Sequence, residues 1–323
     1  MVKPLRVAVQ MDPLQRIHIS GDSTFALMLE AQARGHSLWH YEPEALSWND
    51  SRIFARARRV EVMRPDTDGV PWFRWLSEET ALELAAEVDV VLMRQDPPFD
   101  LAYITATHLL EQVQQAGVQV VNDPAAVRNA PEKLFVLNYA DLMPPTLITR
   151  SLQQALRFRE QHGEVVVKPL YGFAGGAIFH LRGDDTNIGP LTELFGEVWR
   201  EPFIVQAFLP GIVHGDKRIV LIDGEPVGAV NRLPGAGEMR ANLAVGGSAQ
   251  ATELTAQEQV ICARLKPELQ RQGLMFVGVD VIADKLTEIN VTSPTGIVAI
   301  DRFNNSNIPA IFWQKVEARH RAA

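Results

Sequence analysis

Residues 276–291 read FVGVDVIADKLTEINV and contain two short runs rich in β-branched residues. Such runs, separated by a short polar segment, are typical of two neighbouring strands. Within the second run, Glu288 and Asn290 are two residues apart, so their side chains share one face of the strand. The sequence therefore predicts a hairpin that presents at least two oxygen ligands on one side.

The loop between these strands determines where Asp280 lies. A three-residue loop, Ala283-Asp284-Lys285, would place Asp280 directly opposite Glu288, whereas a two-residue loop would turn it to the other face. In the first case Asp280, Glu288 and Asn290 converge, and two carboxylates with an amide carbonyl suit Mg²⁺. We predict a metal site there. The alternative, an exposed polar sheet face, accounts poorly for Asp280, because apolar residues surround it in the sequence.

The rest of the chain after residue 164 has the same texture, with short β-branched runs alternating with Gly-rich turns. This spacing is typical of antiparallel sheets. The further predicted strands are residues 165–168, 177–179, 204–205, 219–222 and 228–230.

The first third of the chain instead alternates strand and helix patterns, which indicates an open, mainly parallel, Rossmann-like sheet. Ligands of such sheets bind beyond the carboxyl ends of the strands, here the loops 11–13 and 94–100. The predicted strands are residues 6–11, 37–41, 88–93 and 118–121, and the predicted helices run from Asp22 or Ser23 to Gly35 and over about residues 101–116.

These textures divide the chain into three parts. We expect an N-terminal α/β domain over residues 1–123, a small α+β lid over residues 124–203 and a C-terminal α+β domain with an antiparallel sheet over residues 204–323.

The net charge of the 323 residues is −8, which disfavours a nucleic-acid-binding surface. The nearest basic cluster, residues 52–59, is short and is better explained as an exposed segment. No run approaches the roughly eighteen apolar residues of a membrane helix, and the start shows no signal-peptide pattern. We expect a cytoplasmic protein. The single cysteine, Cys262, is interpreted as a small apolar residue on a helix rather than a nucleophile.

A Gly-rich loop follows the predicted strand that ends at Lys168. It reads Lys-Pro-Leu-Tyr-Gly-Phe-Ala-Gly-Gly over residues 168–176 and joins two predicted strands. The backbone N–H groups of such a loop can contact phosphate oxygens, and a lysine at its base can neutralise them. An ordinary hairpin turn is the alternative, because the spacing is neither that of a P-loop nor that of a dinucleotide fingerprint.

Arginines form a third set of candidates: Arg218, Arg232 and Arg240. Arginine binds phosphate and carboxylate oxygens through two parallel hydrogen bonds, so arginines near a metal face indicate phosphoryl chemistry on a carboxylate. Each alone is more often a surface salt-bridge partner.

Several longer strings together resemble a known family, the bacterial glutathione synthetases of the ATP-grasp superfamily. The resemblance covers essentially the whole chain in order and spacing. The most specific strings are Asp96-Pro97-Pro98-Phe99-Asp100 and Glu288-Ile289-Asn290-Val291-Thr292-Ser293-Pro294-Thr295, supported by Glu132-Lys133-Leu134-Phe135 and Gly215-Asp216-Lys217-Arg218.

The resemblance implies an ATP-grasp fold that binds ATP between the lid and the C-terminal domain. It places Asp280, Glu288 and Asn290 on Mg²⁺, with Mn²⁺ as a substitute. The implied nucleotide contacts are Lys133 and Lys168 on the phosphates, Gly172, Gly175 and Gly176 in the lid loop, Gln206, Ala207, Phe208 and Leu209 around adenine, and Asp216 near the ribose.

The resemblance also implies a reaction in which ATP phosphorylates the cysteinyl carboxylate of γ-glutamylcysteine and glycine attacks the acyl phosphate. Arg218 and Arg232 are the implied catalytic residues, and a homotetramer is the implied assembly. The implied substrate-binding residues are Asp12, Arg94, Asp96, Arg240, Asn242, Ser293, Pro294 and Thr295. Two alternatives remain: a ligase of the same fold for another amino acid or dipeptide, such as a D-alanine ligase, and a nucleotide-binding regulator without turnover.

Three positions depart from the family pattern. Ala174 stands where a glycine is frequent in the lid loop, Gln95 where many members have lysine, and Ser248 where many have arginine. The last change removes a cation from a predicted substrate loop.

Overall fold

The computed structural model describes residues 3–65, 70–172, 176–198, 200–235, 241 and 246–322. Within these residues the strands form three sheets, called here the first, second and third sheet in chain order.

The first sheet is built by the N-terminal part of the chain. Strands β1, β2, β7 and β8 pair in parallel in the order β2-β1-β7-β8. The elements are β1 Arg6–Gln10, α1 Ser23–Ala33, β2 Ser37–Tyr41, β3 Leu46–Asn49, β4 Arg52–Val62, β5 Phe73–Trp75, β6 Thr80–Glu83, α2 Leu84–Glu87, β7 Val90–Met93, α3 Leu101–Gln115 and β8 Gln119–Val121.

The predicted strands and helices of this part are confirmed, but the sheet is less parallel than expected. Strand β4 pairs antiparallel with β2, β3, β5 and β6. The prediction of an exposed segment at residues 52–59 is therefore wrong. Ile53, Ala55 and Ala57 point into the core, and Arg52 and Arg56 alternate with them on the exposed side.

Helix α1 starts and ends as its sequence signals predict. The Asp22 carboxylate accepts the Phe25 N–H at 2.5 Å, which caps the first turn. Gly35 has φ 85°, a conformation that favours glycine, and turns the chain into β2. Strand β1 ends at Gln10, directly before the loop at residues 11–13.

The second sheet is antiparallel, in the order β11-β10-β12-β9, and packs on α6 and α7 over its own small core. Its strand β11 begins two residues later than predicted, since Ala177 has φ 53° and is not extended. The elements are α4 Pro124–Asn129, α5 Glu132–Phe135, β9 Thr146–Thr149, α6 Leu152–His162, β10 Val165–Pro169, β11 Phe179–Leu181, α7 Ile188–Val198 and β12 Phe203–Ala207. The domain limits at residues 123 and 203 stay a prediction. Strand β12 belongs to the second sheet and extends past residue 203.

The third sheet is antiparallel, in the order β15-β14-β13-β16-β17. Strands β13, β16 and β17 are largely buried by helices and by the N-terminal part of the chain, whereas the edge strand β15 is mostly exposed. The elements are β13 Asp216–Ile222, β14 Glu225–Leu233, β15 Ser248–Ala251, α8 Ala256–Arg271, β16 Phe276–Ile282, β17 Lys285–Asn290, α9 Ile297–Asn304 and α10 Ile308–Ala322.

The hairpin of β16 and β17 reaches the expected register by an unexpected route. Its turn has two residues, Ala283 and Asp284, both with positive φ. A bulge then shifts the register, so that Asp280 still lies opposite Glu288. The Thr287 hydroxyl donates to the Asp280 backbone carbonyl at 3.0 Å and stabilises this bulge.

Helix α10 returns to the N-terminal part and packs on α1. The Trp313 indole donates to the Leu27 carbonyl at 2.8 Å, and Arg34 pairs with Glu317 at 3.2 Å. The first and third sheets therefore share two apolar clusters, each of which contains residues from both sheets. No described helix is both long and apolar enough to cross a membrane.

Candidate active site

A cleft of about 370 Å³ lies between the second and third sheets. Strands β10 and β12 supply one wall, and strands β13, β14, β16 and β17 supply the other. The predicted residues that line it are Asp96, Lys133, Lys168, Gly172, Gly176, Gln206, Ala207, Phe208, Leu209, Asp216, Arg218, Arg232, Asp280, Glu288, Asn290, Ser293, Pro294 and Thr295.

The two arginines that were predicted to be catalytic, Arg218 and Arg232, both contact the carboxylate of Asp280. Arg218 is directly opposite Asp280 on the neighbouring strand and binds it at two points, Nε to Oδ1 at 2.5 Å and Nη2 to Oδ2 at 2.9 Å. Arg232 approaches the same Oδ2 at 3.1 Å. Burial opposes ionisation of Asp280, but the two guanidinium groups outweigh it and hold its pKa below the usual value. Asp280 is thus an anion at neutral pH.

The two lysines meet the other carboxylate of the hairpin. The Nζ atoms of Lys133 and Lys168 lie 3.5 Å and 3.6 Å from Oε1 of Glu288. Lys133 also donates to the Gly172 carbonyl at 2.6 Å, which ties it to the Gly-rich loop. Burial opposes its charged form, but Glu288 and Glu132 hold the pKa of Lys133 above its usual value. The Lys133 ammonium group is therefore charged, and both lysine side chains are buried.

The three predicted metal ligands lie together and suit a hard divalent cation. Burial opposes ionisation of Glu288, yet Lys133 and Lys168 hold its pKa below its usual value. The Asn290 Nδ2 lies 3.3 Å from Asp280 Oδ2. Two ionised carboxylates and an amide are the donors that Mg²⁺ prefers. Among the described residues, no group of three or more His, Cys, Asp or Glu side chains is placed to hold a metal ion.

These positions exclude the alternative of an exposed polar sheet face. The exposed fractions of Asp280 and Asn290 are 3% and 8%. Ionised groups at this depth persist because opposite charges surround them.

The segment at residues 206–209 forms the end of the cleft with the least charge. The Gln206 amide donates to the Thr146 hydroxyl at 2.8 Å, and the Phe208 ring stacks on His180 with centroids 3.9 Å apart. The sequence did not predict the apolar side chains that complete this end, because they come from separate strands and turns. They are Val166, Ile178, Ile212 and Ile282.

Asp216 faces Arg232 across β13 and β14, with Oδ2 and Nη2 at 2.6 Å. Burial raises the pKa of Asp216 to about 6, although Arg232 opposes the shift. The Asp216 carboxylate is paired with Arg232, and its contact with the ribose stays a prediction.

The predicted substrate residues occupy two depths. Asp96 lines the cleft, and its N–H donates to Asp12, which is exposed at the mouth, at 2.8 Å. Arg94 lies behind the wall with 5% exposure, donating to the Thr24 hydroxyl at 3.0 Å and the Pro294 carbonyl at 2.9 Å. Arg94 thus supports the loop at residues 292–295 from the buried side.

The Gly-rich loop requires glycine at position 172, because little space is left for a side chain there. A Cβ on Gly172 would lie 2.5 Å from Pro169 Cγ, so a side chain there would force the loop to move. Gly175, Ala174, Arg240 and Asn242 lie outside the described residues.

Two residues that depart from the family pattern, Gln95 and Ser248, lie in different environments. Gln95 is buried and accepts from the Gln10 amide, whereas Ser248 is exposed at the start of β15. Glu132 lines the cleft beside Lys133 and was not among the predicted site residues, although its neighbour was. Cys262 is buried, with its pKa raised to about 12 by burial, which confirms the apolar interpretation.

Comparison with known families gives matches over nearly the whole chain. The family model described as the N-terminal domain of prokaryotic glutathione synthetase matches residues 5–128, and that of its ATP-grasp domain matches residues 132–305. The glutathione synthetase of Mesorhizobium japonicum is 51% identical over 317 residues, covering 98% of this chain and 99% of the relative. That of Brucella melitensis is 52% identical over 315 residues, again with 98% and 99% coverage.

Solved structures give the same fold at much lower identity. The D-cycloserine synthetase DcsG superposes with a TM-score of 0.68 at 15% identity, covering 97% of this chain and 99% of that one. The ATP-grasp ligase PsnB, in a complex with Mg and ADP, superposes with a TM-score of 0.60 at 19% identity, with 99% and 100% coverage. These neighbours confirm the predicted ATP-grasp fold.

Proposed function

Because this chain belongs to the prokaryotic glutathione synthetase family, it is an ATP-dependent ligase, and we propose that the cleft between its second and third sheets is where it works. The reaction joins γ-glutamylcysteine and glycine to give glutathione, ADP and phosphate. The observation that best supports this site is the facing arrangement of four buried cations, Lys133, Lys168, Arg218 and Arg232, around the carboxylates of one hairpin.

The chemistry explains why a ligase needs such a cleft. A carboxylate is a poor acyl donor, since oxide would have to leave. In the first step a carboxylate oxygen attacks the γ-phosphorus of ATP, and the bond to the β,γ-bridging oxygen breaks with its electrons leaving on ADP. In the second step the glycine nitrogen attacks the acyl carbon, loses a proton, and phosphate departs with the C–O electron pair.

In the first step, the anionic carboxylate of the substrate must approach the anionic phosphates of ATP. The four cations reduce the repulsion between them. We assign Lys133 and Lys168 to the phosphates of ATP, and Arg218 and Arg232 to the phosphoryl group in transfer. Fixed donors of this kind stabilise charge that develops in the transition state more strongly than water does. Their present partners, Glu288 and Asp280, keep them in place.

The family uses ATP and Mg²⁺. We propose that Asp280, Glu288 and Asn290 hold the metal, with Mn²⁺ as a substitute. When bound, the metal would supply positive charge to the phosphate groups of ATP. Arg218 and Arg232 border the Asp280 carboxylate and are proposed to contact the phosphoryl group beside it.

We assign the residues 206–209 and their apolar neighbours to adenine, since a flat base needs a slot without charge. Asp12, Asp96 and the loop at residues 292–295 are assigned to the dipeptide and glycine, with Arg94 supporting that loop. The second sheet, with its separate core, is the part proposed to act as a lid that excludes water from the acyl phosphate.

We further propose a homotetramer and a cytoplasmic location. Both rest on the family resemblance, and the cytoplasm is also where ATP is supplied. Light scattering during size-exclusion chromatography measures the assembly directly; a monomer would contradict it.

A coupled phosphate-release assay tests the function. We expect release only when ATP, Mg²⁺, γ-glutamylcysteine and glycine are all present, with glutathione as the product by mass spectrometry. The same assay is run with D-alanine and other amino acids in place of glycine. Product formation with one of them instead of glycine would indicate a ligase of the same fold with a different substrate. Release that does not rise when both substrates are added would instead support a nucleotide-binding regulator.

A further inference from the structure

Asn122 is a buried polar residue outside the cleft, between the first and third sheets. It directly follows β8, and its exposed fraction is 3%. Its side chain makes three hydrogen bonds to the backbone of the third sheet. Oδ1 accepts the Phe276 N–H at 2.8 Å, and Nδ2 donates to the Phe276 carbonyl at 2.8 Å and to the Val291 carbonyl at 2.7 Å.

These partners lie where the chain enters and leaves the hairpin of β16 and β17, residues 276–290, called here the metal hairpin. Phe276 is the first residue of β16, and Val291 directly follows β17. The turn at residues 283–284 closes the hairpin at one end, and Asn122 bridges it at the other. Asn290, a proposed metal ligand, is the immediate neighbour of Val291, and the loop at residues 292–295 that lines the cleft begins just after it.

The bonding pattern requires a carboxamide. Only an amide side chain of this length offers one acceptor and two donors in one plane. An aspartate would keep the acceptor, lose both donors and bring a negative charge against two carbonyl oxygens. An apolar residue would leave all three backbone groups unpaired in a buried place.

We propose that Asn122 is a positioning residue for metal binding: by joining the two ends of the β16–β17 hairpin, it sets the distance between the strands that carry Asp280, Glu288 and Asn290. Asn122 does not touch the cleft, and its effect passes through the backbone of the hairpin. This inference rests on the proposed metal site.

The chain offers a matched control in Gln32. Its amide makes the same kind of backbone pair, with Nε2 donating to the Val62 carbonyl at 2.9 Å and Oε1 accepting the Val62 N–H at 3.0 Å. This pair joins α1 to β4 and does not line the cleft. Gln32→Glu therefore removes one amide donor, as Asn122→Asp removes two, at a site unrelated to the metal.

The experiment compares wild type, Asn122→Asp and Gln32→Glu in the full-length protein. Hydrogen–deuterium exchange without metal or nucleotide measures opening of residues 276–291. Mn²⁺ binding in the presence of ADP is followed by electron paramagnetic resonance, and the Mg²⁺ concentration for half-maximal turnover is measured alongside.

We expect Asn122→Asp to speed exchange in residues 276–291 and to weaken Mn²⁺ binding by about tenfold or more, as losses of groups that support metal ligands typically do. The half-saturating Mg²⁺ concentration should rise in parallel. Gln32→Glu should lower the melting temperature without changing Mn²⁺ affinity. Unchanged Mn²⁺ affinity in Asn122→Asp, or an equal loss in Gln32→Glu, overturns the proposal.

If Asn122→Asp does not fold, Asn122→Ser, whose hydroxyl can keep one bond, takes its place in the same measurements. Failure of both variants to fold also overturns the proposal, because it would assign Asn122 to folding in general. The exchange and Mn²⁺ measurements need no substrate, so they stand even if wild type makes no glutathione, an outcome that would count against the function alone.

Discussion

Arg218 reaches Asp280 by lying directly over Gly278. A Cβ on Gly278 would be 3.1 Å from Arg218 Cδ and 3.2 Å from its Nη1, closer than side-chain atoms normally approach. Gly278 is two residues before Asp280 on the same strand, so both lie on the face that the arginine crosses. The missing side chain leaves room for Arg218 and also for Pro294, whose Cβ would lie 3.0 Å from a Cβ at this position.

The first prediction follows from this contact. Gly278→Ala should displace Arg218 and lower turnover by on the order of tenfold to a hundredfold, because small misplacements at a reacting centre are costly. Steady-state kinetics with thermal unfolding measures it. Gly183→Ala is the control, since a Cβ there meets nothing within 4 Å. Full activity in Gly278→Ala would show that the position of Arg218 is not critical.

The metal face gives the second prediction. Glu288→Gln removes one charge with little change in shape and should abolish turnover at ordinary Mg²⁺ concentrations while the fold persists. It also leaves Lys133 and Lys168 without their shared carboxylate, so some loss of thermal stability is expected. Kinetics over a Mg²⁺ series and circular dichroism provide the measurement. Activity like that of wild type would remove Glu288 from the metal site.

The third prediction separates the roles of two cations. Lys168→Ala removes a charge that ATP meets before and during reaction, so the Michaelis constant for ATP should rise and turnover should slow. Arg232→Ala should act mainly on turnover, with a loss on the order of a hundredfold to a thousandfold.

Arg232→Ala also leaves the buried carboxylates of Asp216 and Asp280 with less compensation, so its folding must be checked by thermal unfolding. A variant that keeps full turnover and loses only affinity for ATP would exclude Arg232 from the transfer step.

The fourth prediction concerns stability and pH. His36 accepts the Leu5 N–H at 3.1 Å, and burial lowers its pKa although Glu317 opposes the shift. A free histidine titrates at about 6.5, so below that pH the unfolded chain binds the proton more readily than the folded chain. Its contribution to stability is therefore complete above about pH 6.5 and is lost as pH falls toward the lowered pKa.

The free energy of unfolding should thus decline on acidification from pH 6.5, with a slope from this group of at most about 1.4 kcal/mol per pH unit. Urea unfolding at several pH values measures the slope, and His36→Asn should reduce it. An unchanged slope in that variant would show that His36 does not carry the effect.

In the metal hairpin, the sequence pattern predicts which side chains share a face but does not predict the bulge. The alternation of residues 286–291 was sufficient to place Glu288 and Asn290 on one face. The position of Asp280 was predicted correctly through a three-residue loop, but the actual cause is a two-residue turn with a bulge at Thr287. Nothing in a local strand pattern reveals a bulge, because the Thr287 hydroxyl finds its carbonyl only after the strands have paired.

Other features were missed for a similar reason. Strand β4 carries its apolar residues at every second position, but the arginines between them suggested a solvated segment. Arg94 was expected at the substrate, whereas tertiary packing places its guanidinium beneath the loop at residues 292–295. The apolar end of the cleft combines side chains from distant parts of the chain, and this assembly depends on how the sheets face each other.

The return of α10 to α1 has a consequence for the order of synthesis. Trp313 and Val316 belong to the same core as Leu5 and Val7, which were made some three hundred residues earlier. Part of the apolar surface of the N-terminal sheet therefore stays uncovered until α10 has been synthesised. A chain stopped before residue 308 should accordingly be more sensitive to proteases than a chain that contains α10.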